Sequence, residues 1–535
     1  MSTVLPNECL QEIFNSLDKD LYTLHSAILV SRTWCENAIP ILWRRPLRYN
    51  SQRTKLYLIV PIFLSFLSPE KKGELQLDNS CSVKLPTTNS FYYPSFMRHL
   101  DFNNLILAVT EWISKYPPIS EMSQLYYKRT KKEISIDYVK RNDLVMAILN
   151  VIITISENIE VLMMNMDKNL DTNVYDFFKN DASKFFATPE VVGLFSRLVH
   201  FECGGNAFLS EILSELSNYA RDLISLSFRQ GESSEDRHKD LVALVRSQNN
   251  LKCLKLEWFK NENTSHVLKA LSGHTNSLEE FTMINGYVSD VEALGFLTRC
   301  PNIVQLHFQG QHFTTEQISP LYDAKFPKLE SLQFVDLEDR RDYTNPYIRL
   351  FQNTGITSNL RNLCLRVRGV PQHSTLLECI SHICHKFTSF TTHITRAEDE
   401  KKILSILRNA KNLERLEILA DDDDTREFRE YDDAREFREF FTISHRREAG
   451  SLLLEMAKVF PSSLCHLNLT QFEICKDTFE SFMQGCEVKL ESLIFSSSNF
   501  HNSRELIKKL SEKKGWRIKE IESHATKVSV TWDED

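Results

Sequence analysis

The chain is 535 residues long, enough at roughly 150 residues per domain for three or four domains or for one long repeat array. Its 64 lysines and arginines against 72 aspartates and glutamates leave a net charge of −8. That balance excludes a protein that holds nucleic acid or an anionic membrane by bulk charge. Hydrophobic residues at 42% and charged residues at 25% are globular values and exclude bulk disorder. Only 14 glycines occur, where an average chain carries about 7%. Folds that press glycine backbone against phosphate are therefore disfavoured.

Twelve cysteines are scattered through a long chain whose opening, MSTVLPNECL, has neither a basic nor an apolar leader region. The expectation is reduced thiols and a cytoplasmic or nuclear protein, or both. The longest apolar run, Leu56 to Leu67, is broken by Pro61 and is too short to span a bilayer of ~30 Å. It reads as a buried helix over 55–68. No lipidation signal is legible at either end.

Three short helices are expected in the first 45 residues. Pro6 suits a first helical turn, and Cys9, Leu10, Ile13, Phe14 and Leu17 follow at helical spacing. Asp20 is placed to cap a second helix with Leu21, Leu24, Ala27 and Ile28 on one side. Ser31 is placed to cap a third, with Trp34, Ala38 and Ile39, which Pro40 should stop before Trp43. The segment holds more large apolar side chain than three short helices can hide. Either the rest of the chain covers the excess or a partner does.

LPNECLQEIFNSL, then DLYTLHSAILVSRTWCENA, then PILW, resembles an F-box. Leu5, Pro6, Ile13, Leu17, Leu21, Val30, Trp34, Leu42 and Trp43 occupy the family's characteristic positions. The departures are Cys9-Leu10, where the family more often has Leu or Ile, and Ser31, where Cys is common. The resemblance implies that these nine residues bind a Skp-type adaptor of a cullin–RING ubiquitin ligase. The competing reading is an ordinary three-helix cap.

Further along, one pattern recurs: apolar, two variable, apolar, one variable, apolar. It begins at Leu198, Leu223, Leu251, Leu278, Ile303, Leu329, Leu360, Phe387, Leu413, Leu464 and Leu490, at intervals of 25, 28, 27, 25, 26, 31, 27, 26, 51 and 26. MRHLDF at Met97 and IEVLMM at Ile159 look like earlier, more divergent turns. Amphipathic helices lie between, for example Leu241, Leu244 and Val245, or Leu453, Met456 and Val459. The interval of 51 reads as one repeat lost or overwritten.

One strand and one helix per 25 to 28 residues resembles leucine-rich repeats of the length found in F-box proteins, and CPNIVQL at Cys300 has that look. The ninth position departs from it. Asn206 fits the asparagine that ties neighbouring turns in many such repeats, but Phe259, Gly286, Gln311, Leu337 and Arg368 do not. Irregular turns are expected. The fold class is thus an α/β repeat: a three-helix F-box over 1–48, a helical connector over 49–95, and a strand–helix solenoid forming a horseshoe arc over 96–531. A charged insertion is expected near 421–441. The alternative, a flat parallel α/β sheet, would need ligand-bearing loops at its strand ends that the sequence lacks.

Chemistry-bearing patterns are sparse. No phosphate loop, dinucleotide fingerprint, nucleophile elbow or zincin helix occurs. Cys379, His382, Cys384 and His385 spread over more than one helix face, so a cysteine-bearing repeat helix is preferred to a zinc site. Cys465 and His466, adjacent in a strand, point to opposite faces and are no nucleophile–base pair. The duplicated DDTREFRE and DDAREFRE, from Asp423 and Asp432, read as a solvated, salt-bridged excursion interrupting the ladder. YYKRTKK at Tyr126 reads as an exposed loop or an import signal.

Period-2 alternation puts the variable strand positions on one face. Arg229, Lys255, Glu257, Glu280, Gln305, His307, Asn362 and Arg366 are the candidate target-binding residues on it. Ser225, Ser227, Cys253, Thr282, Ile284, Gln309, Cys364, Arg415, Glu417, Leu419, His466, Asn468 and Thr470 share the face. The expected function is the substrate-recognition subunit of a Skp–cullin–F-box ubiquitin ligase, with no catalytic residue, cofactor or metal of its own. Its partners would be the adaptor and an unidentified target protein, not nucleic acid or membrane. The alternative is a repeat scaffold or inhibitor that joins no ligase.

Overall fold

In a computed structural model the first residues fold as three helices, α1 (Asn7–Ser16), α2 (Leu21–Ala27) and α3 (Arg32–Leu42). The described residues are 5–48, 55–77, 85–86, 89–116, 138–166, 188–205, 209–230, 238–310, 313–338, 346–368, 373–394, 397–420, 447–448, 450–496, 503–514, 518–524 and 527–532. The tract at 126–132, Asn206, Gln311 and the duplicated segment at 421–441 lie outside them.

Both expected caps form. The Asp20 carboxylate accepts the Thr23 hydroxyl at 2.6 Å and its amide at 3.1 Å, and these bonds hold it below the usual carboxylate range. Ser31 Oγ accepts the Trp34 amide at 3.2 Å. Leu10, Phe14, Leu24, Ala27, Ala38 and Ile41 form the core, with Leu17, Ile28, Trp34 and Leu42 packed against it. Two expectations need correction. Pro6 precedes α1 rather than entering its first turn. Pro40 lies inside α3, which continues to Leu42. Proline removes only one amide so near a helix end, and buried Ile39 and Ile41 hold the last turn against the core. The connector is likewise not one helix. A 3-10 turn, Leu56–Ile59, leads into α4 (Val60–Ser65), and Pro61 takes the first turn, where no amide partner is needed.

Two compact units divide the chain, residues 1–259 and 260–535. The first contains β1 (His99–Asp101), β2 (Val161–Met166), β3 (His200–Gly205), β4 (Ser225–Gln230) and most of β5 (Cys253–Asn263), parallel and in sequence order. The second contains β6 (Glu280–Tyr287), β7 (Gln305–Gln309), β8 (Ser331–Glu338), β9 (Asn362–Arg368), β10 (Ser389–Ile394), β11 (Arg415–Ala420), β12 (Arg447–Glu448), β13 (His466–Glu473) and β14 (Ser492–Ser496). These too are parallel where they pair. Each recurrent apolar motif starts two residues before its strand, and its first residue is buried, as at Leu198, Leu223, Ile303, Leu329 and Leu464. The N-terminal helices are therefore followed by a parallel strand–helix repeat.

One backbone contact recurs at the entries of β1 to β5, β7 to β11, β13 and β14. A single carbonyl accepts two consecutive amides from the next strand. Arg98 O takes Glu160 and Val161, Glu160 O takes Val199 and His200, and Val199 O takes Ile224 and Ser225. The second unit repeats it from Glu279 O, which takes Val304 and Gln305, through Cys465 O, which takes Glu491 and Ser492. The series begins in the helical domain. Arg44 O accepts the amides of Arg98 at 3.0 Å and His99 at 3.2 Å.

The turns are less irregular than the ninth positions suggest, because the polar tie has moved to the residue just before the motif. Asn302 Nδ2 donates to Asn276 O at 2.7 Å, Asn359 Nδ2 to Pro327 O at 2.6 Å, and Asn412 Nδ2 to His385 O at 3.1 Å. Lys328, Lys386 and Ser463 make the corresponding bonds to Asn302, Ser358 and Lys411. Beneath the second unit's strands run packed rings, stacked at Phe308–Phe334 and edge-on at Phe281–Phe308. Phe308 lies 5.5 Å from Phe334 at 14° and 6.0 Å from Phe281, all fully buried.

The interval of 51 is no lost repeat. β11 pairs directly with β13, Arg415 opposite His466, so the extra residues are inserted within one repeat and the ladder is not interrupted. Short β12 takes up β13 beyond that point, at Phe472 and Glu473. The repeat also does not run unchanged to 531. β15 (Ile518–His524) and β16 (Lys527–Trp532) form an antiparallel pair, and β16 runs antiparallel to β14. No helix among the described residues is long and apolar enough to cross a membrane.

Replacing Phe308 with alanine should cost about 3–5 kcal/mol, since a buried ring leaves a cavity. Asn359→Ala should cost about 1 kcal/mol or less, since one exposed hydrogen bond is lost. Denaturant melts of the two variants check the contrast.

Candidate functional site

The described part of the N-terminal domain leaves unusually large apolar side chains in water. Among the described residues, eleven large hydrophobics are exposed, and five of them fall in the first thirty positions. They are Leu5 at 48%, Ile13 at 45%, Tyr22 at 80%, Leu29 at 85% and Val30 at 61%. Fully burying one such side chain is worth about 1.5–3 kcal/mol, so their concentration in one short segment makes it the first candidate for an interaction surface.

The nine residues singled out from the sequence divide. Leu5, Pro6, Ile13 and Val30 are exposed, and Leu21 is half-buried. Leu17, Trp34 and Leu42 pack on the core, Trp34 edge-on to Phe14 with ring centroids 5.4 Å apart. Trp43 turns to the connector, 4.5 Å from Tyr93 and 5.9 Å from Phe63. These four are committed inward, and a side chain already in contact inside the unit has less to offer a partner. Tyr22 and Leu29 were missed. Their signal is positional: both lie off the Leu21–Leu24–Ala27–Ile28 stripe, where a solvent-facing helix position ordinarily carries a polar residue.

The strand face is the second candidate. In the first unit Arg229, Lys255 and Glu257 come together, with Glu257 Oε2 3.3 Å from Arg229 Nε and 3.6 Å from Lys255 Nζ. Gly204 makes room for this arrangement, since a Cβ there would lie 2.9 Å from Arg229 Cβ. In the second unit register sets Glu280 beside Gln305, and His307 beside Thr282 and Gln333. Asn362 follows Ser331 in the Gln305 row, and Arg366 lies beside Val335. Glu417 accepts from Thr391 at 3.3 Å and from Asn468 at 3.0 Å. Leu419, expected on this face, is buried instead. Alternation ends near the fourth residue of β3 and β10 as well, where successive residues are all buried.

The cysteine–histidine helix offers no convergent set. Cys384 is buried, its thiol is pushed up to about 12 by desolvation, and it bonds to the carbonyls of Ser381 and Ile406. His382 and His385 are exposed. Cys465 Sγ bonds to Ser463 O, while His466 Nε2 lies 3.6 Å from Glu491.

A third group sits where the helical domain meets the strands. Arg44 and Arg45 both reach Asp18, at 4.0 and 3.4 Å. His99 is held down to about 4, first by burial, then by Arg45, His200 and Arg44, against the opposing pull of Asp18.

Residues 3–49 match the F-box-like family, and the chain carries an F-box-like domain at its N-terminus. No curated protein matches the sequence. Among solved structures, a Bacteroides fragilis protein is similar at 12% identity and a TM-score of 0.32, over 66% of this chain and 82% of its own. The complex of Rad7 and Elc1 from yeast is similar at 17% identity and a TM-score of 0.40, over 79% of this chain and 96% of the matched one.

Tyr22→Asp and Leu29→Asp should leave the melting temperature nearly unchanged, because both side chains are already in water. Phe14→Ala should cost about 3–5 kcal/mol. A second expectation concerns pH. The folded value of His99 lies below that of an unfolded histidine, ~6.5, so between those values the unfolded chain binds more protons. Stability should therefore fall as pH drops from about 6.5 towards 4, and His99→Asn should flatten that part of a Tm-against-pH curve.

Proposed function

We propose that the protein is the substrate-recognition subunit of a Skp–cullin–F-box ubiquitin ligase. The F-box-like domain binds a Skp-type adaptor through Leu5, Pro6, Ile13, Tyr22, Leu29 and Val30. Leucine-rich strand–helix repeats hold a target protein on the strand face, with Arg229 and Arg366 as the leading contacts, since arginine is frequent among interface hot spots. The protein supplies proximity and no chemistry of its own: target and ubiquitin carrier are held together, and a bimolecular encounter becomes near-unimolecular.

The observation that carries this reading is the exposed apolar cluster within the segment matching the F-box-like family. Apolar side chains at 80% and 85% exposure have no folding role to lose. Their placement in a domain class that docks on adaptors supports docking over a purely internal cap.

Co-purification tests it. The chain should capture a Skp-type adaptor from cells, and Tyr22→Asp with Leu29→Asp should reduce capture at least tenfold without changing the melt. Charge reversal at Arg229 and Arg366 should abolish target capture and spare the adaptor. Adaptor capture at wild-type yield by the Tyr22/Leu29 variant would defeat the assignment. No adaptor captured by the wild-type chain would favour the scaffold reading.

A further inference from the structure

We propose that the exit edge of the second unit's strand face holds an extended segment of a target protein, whose aspartate or glutamate pairs with Arg366 while an apolar side chain about four residues away rests on Ile284. The proposal rests on the strand face being the target-binding surface and names the chemistry that surface selects. Strand register puts Ile284, Gln309, Val335 and Arg366 in one row across β6 to β9. Neighbouring strands lie ~4.8 Å apart, so the two ends of the row are about 14 Å apart. An extended chain advances about 3.3–3.6 Å per residue, which makes that span about four residues.

Arg366 is half-buried, and its Nε lies out of water with no hydrogen-bond acceptor. Arg229, by contrast, is held by Glu257 at 3.3 Å. Although β8 slips register at Asp336, beside it, Arg366 carries no ion pair. Glu338, further along β8, stands opposite Arg368 in register. Glu417 lies two strands over and one row back, about 12 Å away. It accepts from Thr391 and Asn468, and Arg415, about 7 Å away on the same strand, offsets its charge. Glu280 is about 20 Å off, at the far corner of the face. Gln333, Cys364, Thr391 and Asn362, which lie nearer, bring no carboxylate.

One guanidinium balances one carboxylate, and its planar fork of donors suits that group. A phosphate carries about −1.5 to −2 and would leave negative charge over on this row. The other end of the row is apolar. Ile284 is half-buried, and Tyr287 and Val291 follow it as apolar side chains 46% and 38% exposed. The backbone between the ends is fixed. Asn285 and Gly310 are left-handed, at φ 56° and 65°, and a Cβ on Gly310 would collide with the Asn285 side chain. The Gly310 amide donates to Val335 O at 2.9 Å. A row set in advance loses little freedom when a partner arrives.

The test uses the full chain and short fluorescent peptides of serine and glycine. One pair carries leucine and glutamate four positions apart, in either order. The controls put glutamine, lysine or phosphoserine in place of the glutamate, or set leucine and glutamate side by side. Anisotropy should show one order of the spaced pair binding at least tenfold tighter than its glutamine and side-by-side controls, with the preference shrinking as salt is added. Ile284→Ser should weaken that peptide severalfold. Arg366→Gln should abolish the preference for glutamate, and Arg366→Glu should transfer it to the lysine peptide, a gain that a misfolded chain could not show. Equal binding of the glutamine control, a glutamate preference that survives Arg366→Gln, or tighter binding of the phosphoserine peptide would overturn the proposal. If the peptides fail while cellular target capture still depends on Arg229 and Arg366, this segment chemistry falls and the substrate-recognition reading stands. Capture indifferent to both arginines would bring down that reading as well.

Discussion

The carbonyl shared by two successive amides is the contact on which the rest of the molecule depends. A peptide oxygen has two lone pairs, and a buried amide without an acceptor costs about 1–3 kcal/mol. Twelve strand entries, those of β1 to β5, β7 to β11, β13 and β14, present two such amides, so each of these requires a carbonyl at one place before it. That requirement fixes the register. Once it is met, the motif leucines fall in one buried layer and Phe308 falls on Phe334 without further instruction. It also raises a question of ends, because β1 has no preceding repeat. Arg44 O answers it, so the F-box-like domain ends the sheet as a capping repeat does and covers an edge that would otherwise invite pairing.

Much of this was legible in the sequence because period-2 alternation is local. Every strand expected from an apolar motif exists, offset by two residues. What failed depended on longer-range choices. That Arg415 pairs with His466 across 51 residues is a fact of partner selection, which spacing alone reads as a missing turn. The antiparallel end is similar: KVSVTW alternates as any strand would, and direction is not written in alternation. The polar tie was sought nine residues into the repeat and found one residue before it, at Asn302, Asn359 and Asn412. Chemistry was conserved there while position was not, since any donor that reaches the previous turn's carbonyl serves, including the lysine at 386.

The candidate sites show the same limit from another side. Helical spacing groups Ile13 with Leu10, Phe14 and Leu17, yet Leu10 and Phe14 are core and Ile13 is nearly half exposed. Periodicity identifies an apolar face but not which edge of it a small core uses. Tyr22 and Leu29 were hidden by the opposite bias, in which attention goes to the regular stripe and passes over large apolar residues that violate it. On the strand face the sequence chose the outward positions well, because the ladder enforces alternation for about four residues. It failed at Leu419, where alternation gives way to successive buried residues near the strand end.

The F-box-like domain therefore carries two obligations at once. Trp43 against Tyr93 and Phe63, and Arg44 O against β1, are committed inward. Tyr22, Leu29 and Val30 are left in water. Three short helices cannot satisfy both with one small core, which is why the apolar excess persists after folding. A partner held by the exposed side chains is joined to the strands through the helices, the turn 43–45 and two hydrogen bonds, with no glycine or proline linker between α3 and Arg44 to absorb rotation. Relative placement of that partner and the first strands is then a property of backbone geometry. Under the proposed function, in which the chain holds two proteins near each other, it is placement rather than affinity that limits how often their reactive groups meet.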